Sequence, residues 1–398
     1  MPKLLVPTHG ALIGDLEKQY MHEAVDTGWL TSGAWNAAFE LKLEQFIGVK
    51  HVRTCNSGSS ANLIAFMTLT SKKLGERRLK PGDEVITVAC GFPTTVNPIL
   101  QAGCVPVFCD ITIPEYNIDV SQLVLALSSR TKAVVVAHTL GNPFDIVIVK
   151  NFCDEHKLWL IEDTCDALGA TVGGKHVGTF GDIATLSFFP AHHITTGEGG
   201  AIFTNSGKLA RIAESFRDWG RDCWCLTGHD NTCKKRFDQQ HGELPRGYDH
   251  KYTYSELGYN LKLTEIAAAC GCAQMERLSS FVESRRLNWH YLWKALEDVS
   301  LELPIGHTEA SPFGFAITLY AGRQAMLKHL EARGIGTRLL FGGNLTKQPY
   351  MQGRPFRVVG DLKNTDRVMN DMFWIGCWPG LSTEQLDLSI AAIKEFFK

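Results

Sequence analysis

Six short runs of β-branched and apolar residues constrain this chain most: Glu84 to Ala89, Val105 to Cys109, Ala133 to Ala137, Leu158 to Ile161, Ile183 to Phe188 and Gly200 to Thr204. Runs so short and so uniformly apolar read as strands buried on both faces. Most are separated by enough chain for a helix, and parallel strands need crossovers of that kind. The expectation is an α/β fold on a mostly parallel sheet.

Past Gly207 the pattern turns to long helical stretches. The segment 219–254 is polar, bears cysteines and is rich in turn residues, which marks an insertion or functional loop. Thr264 to Leu296 is compatible with one long helix, and Gly314 to Leu319 and Gly336 to Phe341 read as strands. The division expected is a large domain over 1–280, including the N-terminal segment and the cysteine-bearing loop, and a smaller α+β domain over 281–398.

At 398 residues with 44% hydrophobic content the chain can bury a sizeable core. A formal charge of -2 with scattered Lys and Arg offers no basic groove for nucleic acid and no patch for an anionic membrane. No apolar run approaches the roughly 20 residues of a membrane span. Met1 to Asp15 lacks the pattern of a secretory signal, so the expected location is the cytoplasm. Twelve cysteines then point to buried thiols, with a metal site among them, rather than to disulfides.

Three segments carry candidate chemistry. Ser57-Gly58-Ser59-Ser60-Ala61-Asn62 opens a helix-forming run with hydroxyls at the N-cap, where small residues let backbone N–H groups approach an anion. Glu162-Asp163 ends an apolar strand, the edge where open α/β sheets place ligand groups. Ser187 to Gly200 leaves a strand, presents His192 and His193, and turns through glycines into another strand. Either imidazole could serve as a base near neutral pH. Read alone, the segments are also compatible with an ordinary helix cap, a solvated strand end and polar core or surface histidines.

Cys223 and Cys225, followed by Cys233, give three soft ligands in a polar loop. Cys165, Cys153 and Cys270 are all candidates for a fourth, and residue types alone leave iron–sulfur and zinc open.

Together with Gly28 to Gly33 and Gly258-Tyr259-Asn260, these blocks resemble the sugar aminotransferase family of fold-type I pyridoxal-phosphate enzymes, which act on nucleotide-linked keto-sugars. The resemblance implies a seven-stranded sheet and a homodimer. It implies that Ser57, Gly58, Ser59 and Ser187 hold the cofactor phosphate, that Phe92 stacks on the pyridine ring, and that Asp163 partners its nitrogen. Asn260 would reach a phosphate across the dimer interface, and Arg338 would meet a substrate phosphate. Where the family often has glutamine, this chain has Asp166.

The family's lysine anchor falls at His192, which has no primary amine to bind the cofactor covalently. That departure resembles the 3-dehydratase branch, which holds pyridoxamine phosphate non-covalently and uses the histidine as base. One subgroup, acting on CDP-4-keto-6-deoxyglucose, carries a [2Fe–2S] cluster on cysteines separated by 57, one and seven residues, the spacing of Cys165, Cys223, Cys225 and Cys233 here. The resemblance thus implies C3 deoxygenation in dideoxysugar synthesis, fed by an external NADH-dependent reductase; a TDP-linked substrate is the nearest variant. An aminotransferase anchored on Lys175 and a non-catalytic metal scaffold are the alternatives.

Overall fold

The computed structural model describes every residue except 1–3, 224, 226–229, 233 and 307. Among the described residues twelve strands run in chain order as β1 (His51–Cys55), β2 (Glu84–Val88), β3 (Val105–Cys109), β4 (Thr131–Ala137), β5 (Trp159–Asp163), β6 (Thr171–Val172), β7 (Lys175–His176), β8 (Ile183–Ser187), β9 (Gly200–Thr204), β10 (Phe315–Thr318), β11 (Arg357–Val358) and β12 (Met372–Ile375). The central sheet has the order β1-β9-β8-β5-β4-β2-β3-β11. Its pairs are parallel from β8 to β11, while β9 is antiparallel to both β8 and β1.

All six runs read from the sequence are strands of this sheet. Strands β2, β5, β8 and β9 are buried along their whole length because helices cover both faces. The sheet has eight strands rather than the seven expected: β11, two residues from the C-terminal third, pairs with β3 at the edge. A strand that short has no periodicity to read.

Two further expectations are corrected. The stretch Thr264 to Leu296 forms two helices, Glu265–Met275 and Leu278–Leu296. No Pro or Gly marks the break; there the side chains of Gln274 and Arg277 both reach Leu12 O and Glu17 of the N-terminal region. The stretch Gly336 to Phe341 makes only one bridge, Arg338 to Trp374. Beyond it Phe341 adopts a φ of 47° and Gly342 N–H donates to Gly91 O, so the chain peels away from β12 toward the sheet edge. Strands β10 and β12 pair with each other over a separate apolar cluster that includes Phe315, Ile317, Phe373 and Ile375 and also Val6. No helix is long and apolar enough to cross a membrane among the described residues.

Candidate active site

The carboxyl ends of β4, β5 and β8 open onto a cavity of about 560 Å³. Ser57, Gly58, Ser59, Phe92, Asp163, Cys165, Asp166, Ser187, His192 and Arg338 all line it.

At one end the helix Gly58–Thr68 begins, with the Ser57 hydroxyl capping Ser60 N–H. Its first turn leaves the Gly58 and Ser59 amides outside the intrahelical ladder and facing the cavity, a ready anion cradle. Gly58 is there because nothing larger fits: a Cβ on it would stand 2.4 Å from Ser187 Cβ and 2.7 Å from Ser187 Oγ. Gly58→Ala is therefore expected to push Ser187 and the helix start apart and to cost about 1–3 kcal/mol in anion binding, stability or both. Cofactor titration beside a melting curve separates the two; unchanged affinity and melting temperature would refute the close approach.

Alternation along β5 sends its two carboxylates opposite ways. Glu162 is fully buried away from the cavity, accepting N–H bonds from Gly178 and Phe180 and one from His138, so it holds the fold. Asp163, buried at the cavity, accepts from Asn62 Nδ2 at 2.9 Å, Thr95 Oγ1 at 2.7 Å and Cys165 N at 3.1 Å. Thr185 Oγ1 in turn donates to Asn62 Oδ1 at 2.7 Å, which fixes which end of the amide faces Asp163. Sequence reasoning missed Asn62, Thr95 and Thr185; only Asn62 left a trace, one helical turn after Gly58.

The two histidines separate in role. His193 is buried and bonds Ser311 O at 3.0 Å. His192 faces the cavity with Nδ1 3.5 Å from Asp166 Oδ1, against the Phe313 ring. Its backbone is held by Arg285, a fully buried residue whose guanidinium donates to the carbonyls of Ala191, His192, Pro312 and Phe313. Burial, aided by the Arg285 charge, lowers His192 to about 4. Burial and the neighbouring Asp163 charge push Asp166 up to about 8. At neutral pH the cavity thus holds an uncharged imidazole beside a protonated carboxyl.

Phe92 is half exposed at the mouth and meets Phe341 edge-on at 5.7 Å. Arg338 is exposed there and makes no ion pair among the described residues. Asn260 lies outside its own chain's cavity, exposed, accepting from Lys262 Nζ at 2.6 Å. Lys175 sits on the β6–β7 hairpin with Nζ over the Phe180 ring, away from the cavity, so it cannot replace a cofactor-anchoring lysine.

Residues 12–394 match the DegT/DnrJ/EryC1/StrS aminotransferase family. The chain belongs to that family. It is 59% identical to the lipopolysaccharide biosynthesis protein RfbH of Salmonella typhimurium, over 99% of this chain and 92% of that protein. It is 48% identical to the dTDP-4-dehydro-2,6-dideoxy-D-glucose 3-dehydratase of Saccharopolyspora spinosa, over 97% of this chain and 85% of that protein. Its fold superposes on the Escherichia coli GDP-4-keto-6-deoxy-D-mannose-3-dehydratase with bound hydrated PLP at a TM-score of 0.89 and 27% identity, covering 98% of this chain and 99% of that one. The family is one of pyridoxal-phosphate-type enzymes of nucleotide-sugar pathways, and several relatives are 3-dehydratases.

The cavity fits such a cofactor: an anion cradle with no room for a Cβ, an aromatic wall and a fixed buried carboxylate opposite. Among the described residues, Cys165 does not come together with Cys223 and Cys225 within one chain. The ligand atoms of Cys223, Cys225 and His250 lie within 4.8 Å of one another, and Cys165 is not in that group. Cys233 lies outside the described residues.

Proposed function

We propose that this protein removes the C3 hydroxyl of a nucleotide-linked 4-keto-6-deoxyhexose, with pyridoxamine 5′-phosphate as cofactor and CDP-4-keto-6-deoxyglucose as substrate, in the making of 3,6-dideoxysugars for a lipopolysaccharide O-antigen. The observation that carries this is His192, a base with no amine, facing the cavity where the family has its lysine. Bound there, pyridoxamine phosphate supplies an amine for the sugar ketone and a ring that accepts electrons.

Ser57, Ser187 and the amides of Gly58 and Ser59 hold the phosphate, and Phe92 covers one ring face. Asp163 keeps the ring nitrogen protonated, which stabilises negative charge as it develops. With pyridoxamine phosphate bound, His192, neutral at working pH, would be the group placed to accept a proton at the cofactor carbon C4′. Asp166 takes the place of the family's frequent glutamine beside the ring hydroxyl. Replacing the lost hydroxyl by hydrogen consumes two electrons and two protons and releases water. An NADH-dependent flavin or iron–sulfur reductase supplies the electrons, and a [2Fe–2S] cluster on Cys165, Cys223, Cys225 and Cys233 belongs to the reading. The 48% identical relative named for a dTDP-linked sugar favours a second reading, in which the nucleotide is dTDP.

Anaerobic incubation with pyridoxamine phosphate, a reductase, and either CDP- or dTDP-linked 4-keto-6-deoxyglucose tests both readings. A 3-deoxy product from one of them is expected, and borohydride treatment of the resting enzyme should label no lysine. Glutamate-dependent amination at C4 would refute dehydration.

The pH dependence carries its own test. His192 stays neutral, and able to accept a proton, until pH falls toward about 4. Ionisation of Asp166 above about 8 places a negative charge beside Nδ1, which favours the imidazolium and raises His192's own pKa. The profile of kcat/KM should be flat from above about 4 up to about 8 and inflect near 8, and Asp166→Asn should erase that upper inflection. An unchanged inflection in the variant would assign it elsewhere.

A further inference from the structure

His9 belongs to no motif in the sequence, yet its side chain lines the active-site cavity. The N-terminal segment that bears it is fastened before and after it. Val6 makes a parallel bridge to Ile335: Val6 N–H donates to Gly334 O at 3.1 Å, and Gly336 N–H donates to Val6 O at 2.8 Å. Trp378 Nε1 donates to Pro7 O at 3.0 Å, and Gly10 lies so close to the same indole that a Cβ on it would stand 2.5 Å from Trp378 Cη2. Thr8 is buried, so the alternation of an extended chain turns His9 the opposite way.

The register of the bridge decides what His9 meets. Three residues on from Val6 stands His9, and three residues on from Ile335 stands Arg338. Level residues of neighbouring extended segments present their side chains on the same face, and both of these line the cavity. Arg338 is tied on its other side to Trp374, its N–H donating at 2.9 Å and its carbonyl accepting at 2.7 Å. Backbone contacts between distant segments thus set the two side chains next to each other at the mouth.

Arg338 is the one Lys or Arg among the described residues that line the cavity; the acids there are Asp163, Asp166 and Glu198. Its guanidinium donates to the neighbouring Thr337 O and leaves most of its fork open. The His9 imidazole makes no hydrogen bond or ion pair among the described residues. Burial, then the charges of Arg338 and of Arg285 on the helix Leu278–Leu296, hold His9 below the usual histidine value, and His192 from the loop after β8 acts on it as well. Two cations set level repel each other. An anion between them reverses that: it favours the charged imidazole and gives both groups a charge-assisted hydrogen bond.

A nucleotide-linked sugar brings such an anion, a diphosphate with two negative charges, against which Arg338 offers a single fixed positive one. We propose that His9 and Arg338 clamp the diphosphate of the substrate, Arg338 as the permanent cation and His9 as a cation formed by proton uptake when the diphosphate arrives. The inference rests on the nucleotide-linked substrate of the reading above.

Titration calorimetry of the pyridoxamine-phosphate-loaded protein with CDP-glucose and with dTDP-glucose tests the clamp. Neither ligand has the reactive C4 ketone, and neither diphosphate titrates near neutrality. Repeating each titration at about pH 7 in buffers of different ionisation enthalpy reads the protons taken up. The wild type should take up protons on binding. Because the bound form is the one that holds the proton, its affinity should be highest at about pH 6 and fall toward about pH 7.5. His9→Gln keeps an N–H donor without the charge. It should bind roughly 10-fold more weakly at about pH 6, with that proton uptake gone and a flat pH dependence. His9→Lys, a cation throughout this range, should restore the affinity without the uptake. Melting curves show that each variant is folded.

Binding of either sugar nucleotide to the wild type without proton uptake, or with the same uptake in His9→Gln, overturns the clamp and leaves the substrate reading standing. If neither nucleotide-linked sugar binds, the substrate reading falls, and the inference with it.

Discussion

His192→Asn is expected to lower kcat for C3 dehydration by roughly 10²–10⁴-fold, the usual contribution of a positioned base. Asparagine keeps a similar size and a hydrogen-bonding atom near Asp166, but it has no lone pair basic enough to take a carbon-bound proton. The phosphate cradle, Phe92 and Asp163 are untouched, so the affinity for pyridoxamine phosphate should stay within a few-fold of the wild type. The loss belongs in kcat, and the acid limb set by the imidazole should vanish with it. Single-turnover release of solvent-exchangeable tritium from the C4′ position reads the proton transfer directly. Wild-type exchange in the variant would show that another group is the base.

Asp163→Asn is expected to cut kcat by about 10²–10³-fold and to weaken the protein as well. The wild-type carboxylate receives two side-chain donors and one backbone N–H. An amide there turns its –NH₂ either toward Asn62 and Thr95 or toward the Cys165 N–H, donor against donor, in a buried site. That mismatch costs about 1–3 kcal/mol. With the charge gone, nothing holds a proton on the ring nitrogen, and the electron-accepting ring loses its stabilisation. The absorbance of bound cofactor, titrated against pH, should report a ring nitrogen that deprotonates at lower pH. Retained activity together with an unshifted spectrum would rule out the assigned partnership. A double variant with Asn62→Asp, which restores an acceptor, should recover part of the stability and none of the rate.

The residues that mattered to the site were unevenly legible. Ser57, Gly58 and Asp163 could be picked out because they sit at a helix start and a strand end, local features that a chain carries wherever it folds. His192 stood out only by counting from Ser187. Thr95 and Thr185 were invisible, and Asn62 showed only as part of a helix start, since their importance is a hydrogen-bond relation to Asp163 across as many as 101 positions of sequence. Arg285 read as one cation in a long helix, and only packing reveals that it pins the backbone around His192. Lys175 looked like a substitute anchor by proximity in sequence, and the β6–β7 hairpin carries it away.

The sequence by itself determined the buried strands, the crossover architecture and a helix start with hydroxyls and small residues, because each is written in residue types and their local spacing; that His192 stands where a lysine is expected came from the resemblance to the family. Tertiary structure decided the rest. It added the two-residue strand β11 at the sheet edge, turned Gly336 to Phe341 out of strand geometry, and broke the helix at Glu276 and Arg277, all through contacts with distant segments. It also parted Cys165 from Cys223 and Cys225. Spacing along a chain fixes which thiols exist, but which of them approach one another is set by contacts between distant segments.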